Sequence, residues 1–195
     1  MPILTPLPTF TPHDNTFKNY LESTWVMKSA YRYFNLNSCI SKPKSLKLVY
    51  IQRDKTRQIV NEKHVLNTLK KEIGLEVIVI RLEKMKAVSQ VKLFSEADIA
   101  FGVHGAGFVN TVWMMPYSGL FEIMNPQYYR EYYINIAFVK RLFYNGFRNV
   151  TVSQRFKISY TRDYDVTVDM YSFVLFMRVM VTNILTTKYA LVYSI

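Results

Sequence analysis

The stretch Ala97 to Met124, ADIAFGVHGAGFVNTVWMMPYSGLFEIM, constrains this chain more than any other. Asp98 to Val103 is a short apolar run of the kind that forms a strand covered on both faces of a parallel sheet. It ends in His104-Gly105-Ala106-Gly107, and Phe108 to Met115 reads as a helix. In open α/β sheets, ligands lie at the carboxyl ends of such strands. Glycines there let the backbone come close to a ligand, and a new helix offers free N–H groups to an anion. His104 to Gly107 is therefore the first place to look for chemistry.

The flanking sequence repeats the pattern. Leu46 to Ile51 (LKLVYI) and Leu75 to Arg81 (LEVIVIR) read as strands, with β-branched and aromatic residues suited to a pleated surface. Between them Asn61 stands where a helix cap belongs. Val65, Leu66, Leu69 and Ile73 follow at helical spacing, and Gly74 supplies a stop. Ala87, Val91 and Phe94 mark a second short helix. After the glycine turn and its helix, Pro116 and Gly119 bracket a turn, and Leu120 to Met124 is a fourth strand. The order βαβαβαβ predicts an α/β fold with a mostly parallel sheet, flanking helices and right-handed crossovers.

The two ends are less regular. Residues 1–45 read as a proline-punctuated lead-in followed by a helix ending near Phe34, and residues 46–195 as one domain. Tyr128 to Tyr144 reads as largely helical, and Val150 to Tyr160 as extended. Met170 to Leu185 is apolar almost all round. It is short for a bilayer and interrupted by Arg178, so a buried core helix is the expectation. MPILTPLPTFTP does not read as a secretory signal.

The formal charge of +11 predicts attraction to polyanions, anionic membranes or phosphorylated small molecules. No nucleic-acid recognition motif accompanies it, so no nucleic acid is expected as partner. One cysteine, Cys39, excludes an internal disulfide, and no histidine near it suggests a thiol nucleophile. His13, His64 and His104 are not at metal-ligand spacing, so neither metal nor cofactor is expected. The chain carries neither a GxGxxG nor a Walker motif.

Five groups could carry chemistry. Arg53 and Arg57 follow the first strand, where guanidinium groups would meet a phosphate; the competing reading is a solvated basic turn. His104, with Gly105, Ala106 and Gly107, could donate to a phosphate or a sugar hydroxyl, or hold its own loop. Glu122, the one acid on the fourth strand, could accept from two ribose hydroxyls or form an ion pair. Asn110 serves either a ligand or packing. The tyrosines 128, 129, 132 and 133 with Arg130 could stack bases, although such spacing also suits a core. Asp169 reads as the cap of the last helix.

Taken together, Arg53-x-x-x-Arg57, Asn61-Glu62, Leu93-Phe94 to Ala97-Asp98, His104-Gly105-Ala106-Gly107-x-x-Asn110 and Phe121-Glu122-Ile123 resemble the glycosyltransferase 61 family. The likeness spans roughly Leu46 to Tyr144, and Asp165 to Asp169 with the helix after it resembles the family's C-terminal end. The resemblance implies a GT-B architecture of two Rossmann-like domains, of which this chain supplies the C-terminal, donor-binding half. It implies inverting transfer from a UDP-sugar, N-acetylglucosamine or xylose, to a protein or glycan hydroxyl in the endoplasmic reticulum or Golgi lumen. Arg53 and Arg57 become candidates for the diphosphate, His104 to Gly107 for phosphate and sugar, and Glu122 for ribose or uridine. The acceptor half, the general base and any membrane anchor would lie outside this chain, which reads as partial. A non-catalytic nucleotide-sugar-binding or partner-binding remnant is the alternative.

Overall fold

The computed structural model describes residues 45–128, 130–153 and 161–190, together with Ser29, Arg32 and Tyr33. The helix expected to end near Phe34 falls almost wholly outside these residues. Five strands form one sheet: β1 (Lys47–Ile51), β2 (Glu76–Ile80), β3 (Ile99–Val103), β4 (Gly119–Ile123) and β5 (Phe143–Phe147). Their spatial order is β2-β1-β3-β4-β5, and every neighbouring pair is parallel. Helices α1 (Glu62–Lys71), α2 (Ala87–Ser95) and α3 (Tyr132–Lys140) and a 3-10 helix over Ala106–Trp113 supply the connections. A hairpin of β6 (Val150–Ser153) and β7 (Asp165–Val168) leads into α4 (Met170–Ala190).

This is a doubly wound sheet with the flavodoxin-like strand order, whose direction of winding reverses between β1 and β3. Both faces are covered. Leu48, Tyr50, Phe101, Phe121 and Ile123 pack on one face with Val65 and Leu69 of α1 and Phe173 and Met177 of α4. Val49, Ala100 and Leu120 pack on the other with Phe94, Phe108, Tyr133 and Ala137. Alternation along each strand divides the two layers, as a strand period of two requires.

Four readings of the sequence need correction. Tyr128 to Tyr144 is not helical throughout, because β5 begins at Phe143 and extends the sheet beyond β4. The helix expected over Phe108 to Met115 is a 3-10 helix over Ala106–Trp113, shifted two residues toward the glycine turn. Asn61 precedes α1 but makes no cap bond. Its amide instead donates to the Val168 carbonyl at 2.8 Å and accepts from the Val168 N–H at 2.9 Å, tying β7 to the start of α1. Finally, α4 is not buried all round. Phe173, Met177, Met180, Ile184 and Lys188 form its buried stripe, whereas Tyr171, Leu175 and Leu185 are exposed. Met170–Lys188 is long and apolar enough to cross a membrane by length and composition, with 22% of the tested window buried. The Asp169 cap is present: its Oδ1 accepts from the Ser172 N–H at 2.9 Å.

One buried cation makes stability depend on pH. Lys140, at the end of α3, is 2% exposed, and burial pushes its ammonium down to about 8 from 10.5. Between those two values the unfolded chain holds more protons than the folded one, so this residue's penalty shrinks as pH rises. Relative to Lys140→Met, the native chain should gain about 2 kcal/mol of stability between pH 8 and pH 10. Urea unfolding of both proteins at the two pH values measures it, and parallel curves would refute it.

Candidate functional site

The strand order brings the two loops singled out in the sequence side by side. Gln52 to Arg57 leaves the carboxyl end of β1, and His104 to Gly107 leaves that of β3. Crevices of doubly wound sheets form where adjacent loops diverge at this reversal point. A Cβ placed on Gly105 would lie 3.3 Å from Nη1 of Arg57 and 3.6 Å from Nη1 of Arg53. The two guanidinium groups thus converge on one buried glycine.

Arg57 is held from several sides. Its backbone takes a left-handed φ of 59°, a conformation that costs a non-glycine residue about 1 kcal/mol or more. The Arg57 N–H donates to the Asp163 carbonyl at 3.3 Å, and Nη1 donates to the His104 carbonyl at 3.0 Å. Nε lies 3.7 Å from Oδ1 of Asp163 and is buried without a hydrogen bond. Next to it, Gln58 N–H donates to Asp165 Oδ1 at 2.8 Å, and Val60 and Val166 bond to the chain segments opposite them. The β6–β7 hairpin therefore clamps the loop after β1. Burial first, and then the Arg53 charge, lower the Arg57 guanidinium from its ordinary value. Among the described residues no carboxylate pairs with Arg53. Asp163 lies against Arg57 and Arg162 and not against Arg53, so the neighbouring guanidinium groups of Arg53 and Arg57 leave positive charge that an anion would balance.

His104 is buried, and its Nδ1 lies 2.5 Å from Oε1 of Glu122. Glu122 is fully buried, and its other oxygen accepts from the Tyr144 hydroxyl at 2.7 Å. Its register partners in the sheet are both glycines, Gly102 on β3 and Gly146 on β5. A Cβ on Gly146 would lie 3.0 Å from the Tyr144 hydroxyl. With both oxygens engaged inside the protein, Glu122 acts on His104 rather than standing open to a ribose. Its close partner is the His104 imidazole rather than an arginine or a lysine.

The tyrosine cluster surrounds the same imidazole. Ring centroids of Tyr128, Tyr132 and Tyr133 lie 5.9, 6.2 and 5.2 Å from that of His104. Burial, and then Glu122, raise the Tyr133 phenol. Arg130 sits 4.8 Å over the Tyr128 ring, and Tyr132 is well exposed. Tyr129 lies outside the described residues.

Gly107 is needed for packing, since a Cβ there would meet Leu82 Cδ1 at 2.6 Å and Ile51 Cγ2 at 3.1 Å. Ala106 is exposed at the start of the 3-10 helix. Asn110 donates to Gln90 at 3.0 Å and to the Gly107 carbonyl at 3.3 Å, which joins the 3-10 helix to α2. The structure thus gathers Arg53, Arg57, His104 and Gly105 at one crevice, with Glu122 behind the histidine and Asn110 bracing the turn. Sequence reasoning missed Tyr144 and Asp163. Tyr144 was assigned to a helix, and Asp163 reaches Arg57 across more than a hundred residues. Among the described residues no three His, Cys, Asp or Glu side chains cluster as a cation site.

Comparison with known proteins matches the sequence to the Glycosyltransferase 61 family model over residues 8–121. Protein O-linked-mannose beta-1,4-N-acetylglucosaminyltransferase 2 of Takifugu rubripes is 30% identical over 95 residues, which is 47% of this chain and 16% of that protein. Alpha-1,3-arabinosyltransferase XAT3 of Oryza sativa subsp. japonica is 29% identical over 79 residues, 40% of this chain and 14% of the relative. The EGF domain-specific O-linked N-acetylglucosamine transferase of Drosophila melanogaster is 27% identical over 90 residues, 44% and 17% of the two lengths. The matched segment thus spans about a sixth of each of these relatives. With a family match over more than half its length, embracing Arg53, Arg57 and His104, the chain belongs to glycosyltransferase family 61.

Proposed function

We propose that this chain is the donor-binding half of an inverting GT-B glycosyltransferase that uses a UDP-sugar. The observation that carries the reading is the convergence of Arg53 and Arg57 on Gly105, beside His104, at the reversal point of the sheet. Such a crevice, lined by excess positive charge and a glycine-bounded turn, suits a diphosphate. The relatives' names add sugar transfer, and two of the three name N-acetylglucosamine. N-acetylglucosamine is the favoured sugar, with xylose next. The acceptor is a protein or glycan hydroxyl, and the compartment is the lumen of the endoplasmic reticulum or Golgi.

In such a reaction the acceptor oxygen attacks the anomeric carbon as the bond to UDP breaks, which inverts that centre. UDP leaves with the bonding electrons, and the hydroxyl proton passes to a base on the acceptor side. Arg53, Arg57 and the N–H groups that open the 3-10 helix would stabilise the departing diphosphate. Donors already aimed at the developing charge need not reorganise during the step.

Titration of the chain with UDP by calorimetry tests the site. Arg53→Ala and Arg57→Ala should each weaken UDP about tenfold or more, since a hydrogen bond to a charged group contributes about 1.5–3 kcal/mol. Uridine, which lacks the diphosphate, should bind far more weakly and be insensitive to both substitutions. Tight UDP binding indifferent to both would overturn the assignment.

A further inference from the structure

We propose that Tyr133 is a further binding residue of the crevice: its ring is buried beside His104, and its unpartnered hydroxyl donates to the diphosphate of a nucleoside diphosphate sugar. The proposal rests on the donor-site reading above and adds a residue of α3 to that site.

Tyr133 is the second residue of α3, and only 6% of it is exposed. Packing accounts for its ring. The ring centroid lies 5.5 Å from that of Phe108, edge to face, and 5.2 Å from that of His104. A phenylalanine would make the same contacts, so packing leaves the hydroxyl without a purpose. Among the described residues no hydrogen bond reaches that oxygen. Nor is it one of the sealed side-chain atoms that lack a partner, so the tip of the phenol opens onto solvent. A polar group on so buried a side chain is ordinarily bonded.

The tip belongs to the arginine crevice. His104 carries the Tyr133 ring against its imidazole and Arg57 against its carbonyl, which accepts from Nη1 at 3.0 Å. The next residue, Gly105, is the one on which both guanidinium groups converge. The charges also act on one another. Burial and then Glu122 raise the phenol above its ordinary value, Arg57 and Arg53 oppose the rise, and the phenol acts in turn on Arg57. The raised phenol keeps its proton at neutral pH and stands ready as a donor, which is what a phosphate oxygen needs. Nε of Arg57 is buried without an acceptor as well. Two kinds of donor thus lack acceptors at one crevice of excess positive charge. A diphosphate offers several charged oxygens and strengthens every hydrogen bond it accepts.

Tyr133→Phe removes the hydroxyl and keeps the ring. Calorimetry should show UDP bound about tenfold or more weakly by this variant, the loss expected for a hydrogen bond to a charged group. The urea unfolding midpoint should stay that of the native chain. In protein labelled with carbon-13 at tyrosine Cζ, the resonance missing from Tyr133→Phe identifies Tyr133. UDP should shift it, and uridine at the same concentration should not. If Tyr133→Phe binds UDP as the native chain does while Arg53→Ala and Arg57→Ala weaken it, the hydroxyl is not a ligand and the donor site stands. A weaker affinity accompanied by a lowered unfolding midpoint and an unmoved Cζ resonance means that Tyr133 only supports the fold, which also overturns the proposal. UDP affinity indifferent to both arginine substitutions overturns the donor site itself, and the place of Tyr133 in it.

Discussion

Lys188→Met should cost the chain about 3–5 kcal/mol of stability without changing UDP affinity in the folded fraction. Lys188 lies on the buried stripe of α4, and its Nζ is 2.6 Å from Oδ1 of Asp98 and 3.3 Å from the Ser118 hydroxyl. Oδ2 of Asp98 accepts from the Lys47 N–H at 2.9 Å. Both side chains of the ion pair are only 8% exposed. Methionine matches the lysine stem but leaves Asp98 buried with one backbone donor, and an uncompensated buried charge is costly. Replacing both residues, as Asp98→Asn with Lys188→Met, should recover much of the loss, because the orphaned charge is gone. Urea unfolding of the single and double variants measures this. A single-variant cost below about 1 kcal/mol would mean that the pair behaves like a surface bridge. The pair ties α4 to the amino-terminal ends of β3 and β4, whereas the arginine crevice is at the carboxyl ends, so binding and stability should separate.

The second large effect is expected at Phe101→Ala, about 3–5 kcal/mol. Phe101 is fully buried in the middle of β3, the central strand of the sheet. Its ring centroid lies 5.2 Å from Tyr50, 5.9 Å from Phe121 and 5.6 Å from Phe173. These neighbours come from β1, β4 and α4, so no single element can move to fill the void. Val79→Ala, on the edge strand β2 and 40% exposed, should stay within about 0.5 kcal/mol and serves as the control. Thermal or urea unfolding compares the two. A Phe101→Ala cost near that of Val79→Ala would contradict the packing described.

Strands β1 to β4 were legible because each is a short apolar run bounded by turn residues, and α1 and α2 because their apolar residues recur at helical spacing. β5 was not. Its sequence, FYNGF, contains Asn145 and Gly146, which disfavour a strand. It is a strand because β4 offers a free edge. The fate of Asn61 was equally hidden, since its partner Val168 lies more than a hundred residues away. The packing that leaves no room for a side chain at Gly107, against Leu82 and Ile51, is likewise a tertiary contact that no local rule displays.

The chain by itself determined that a parallel α/β sheet would form and that the loops after its first and third strands would hold Arg53, Arg57 and His104. Periodicity and turn chemistry are local, and the motif order is a property of the string. Only the tertiary structure decided that those two loops are neighbours, since adjacency depends on strand order. It alone decided that Asp163 and the β6–β7 hairpin restrain Arg57, and that Glu122 belongs to His104 and Tyr144. A carboxylate's role depends on which donors reach its two oxygens, and those donors come from strands on either side of it.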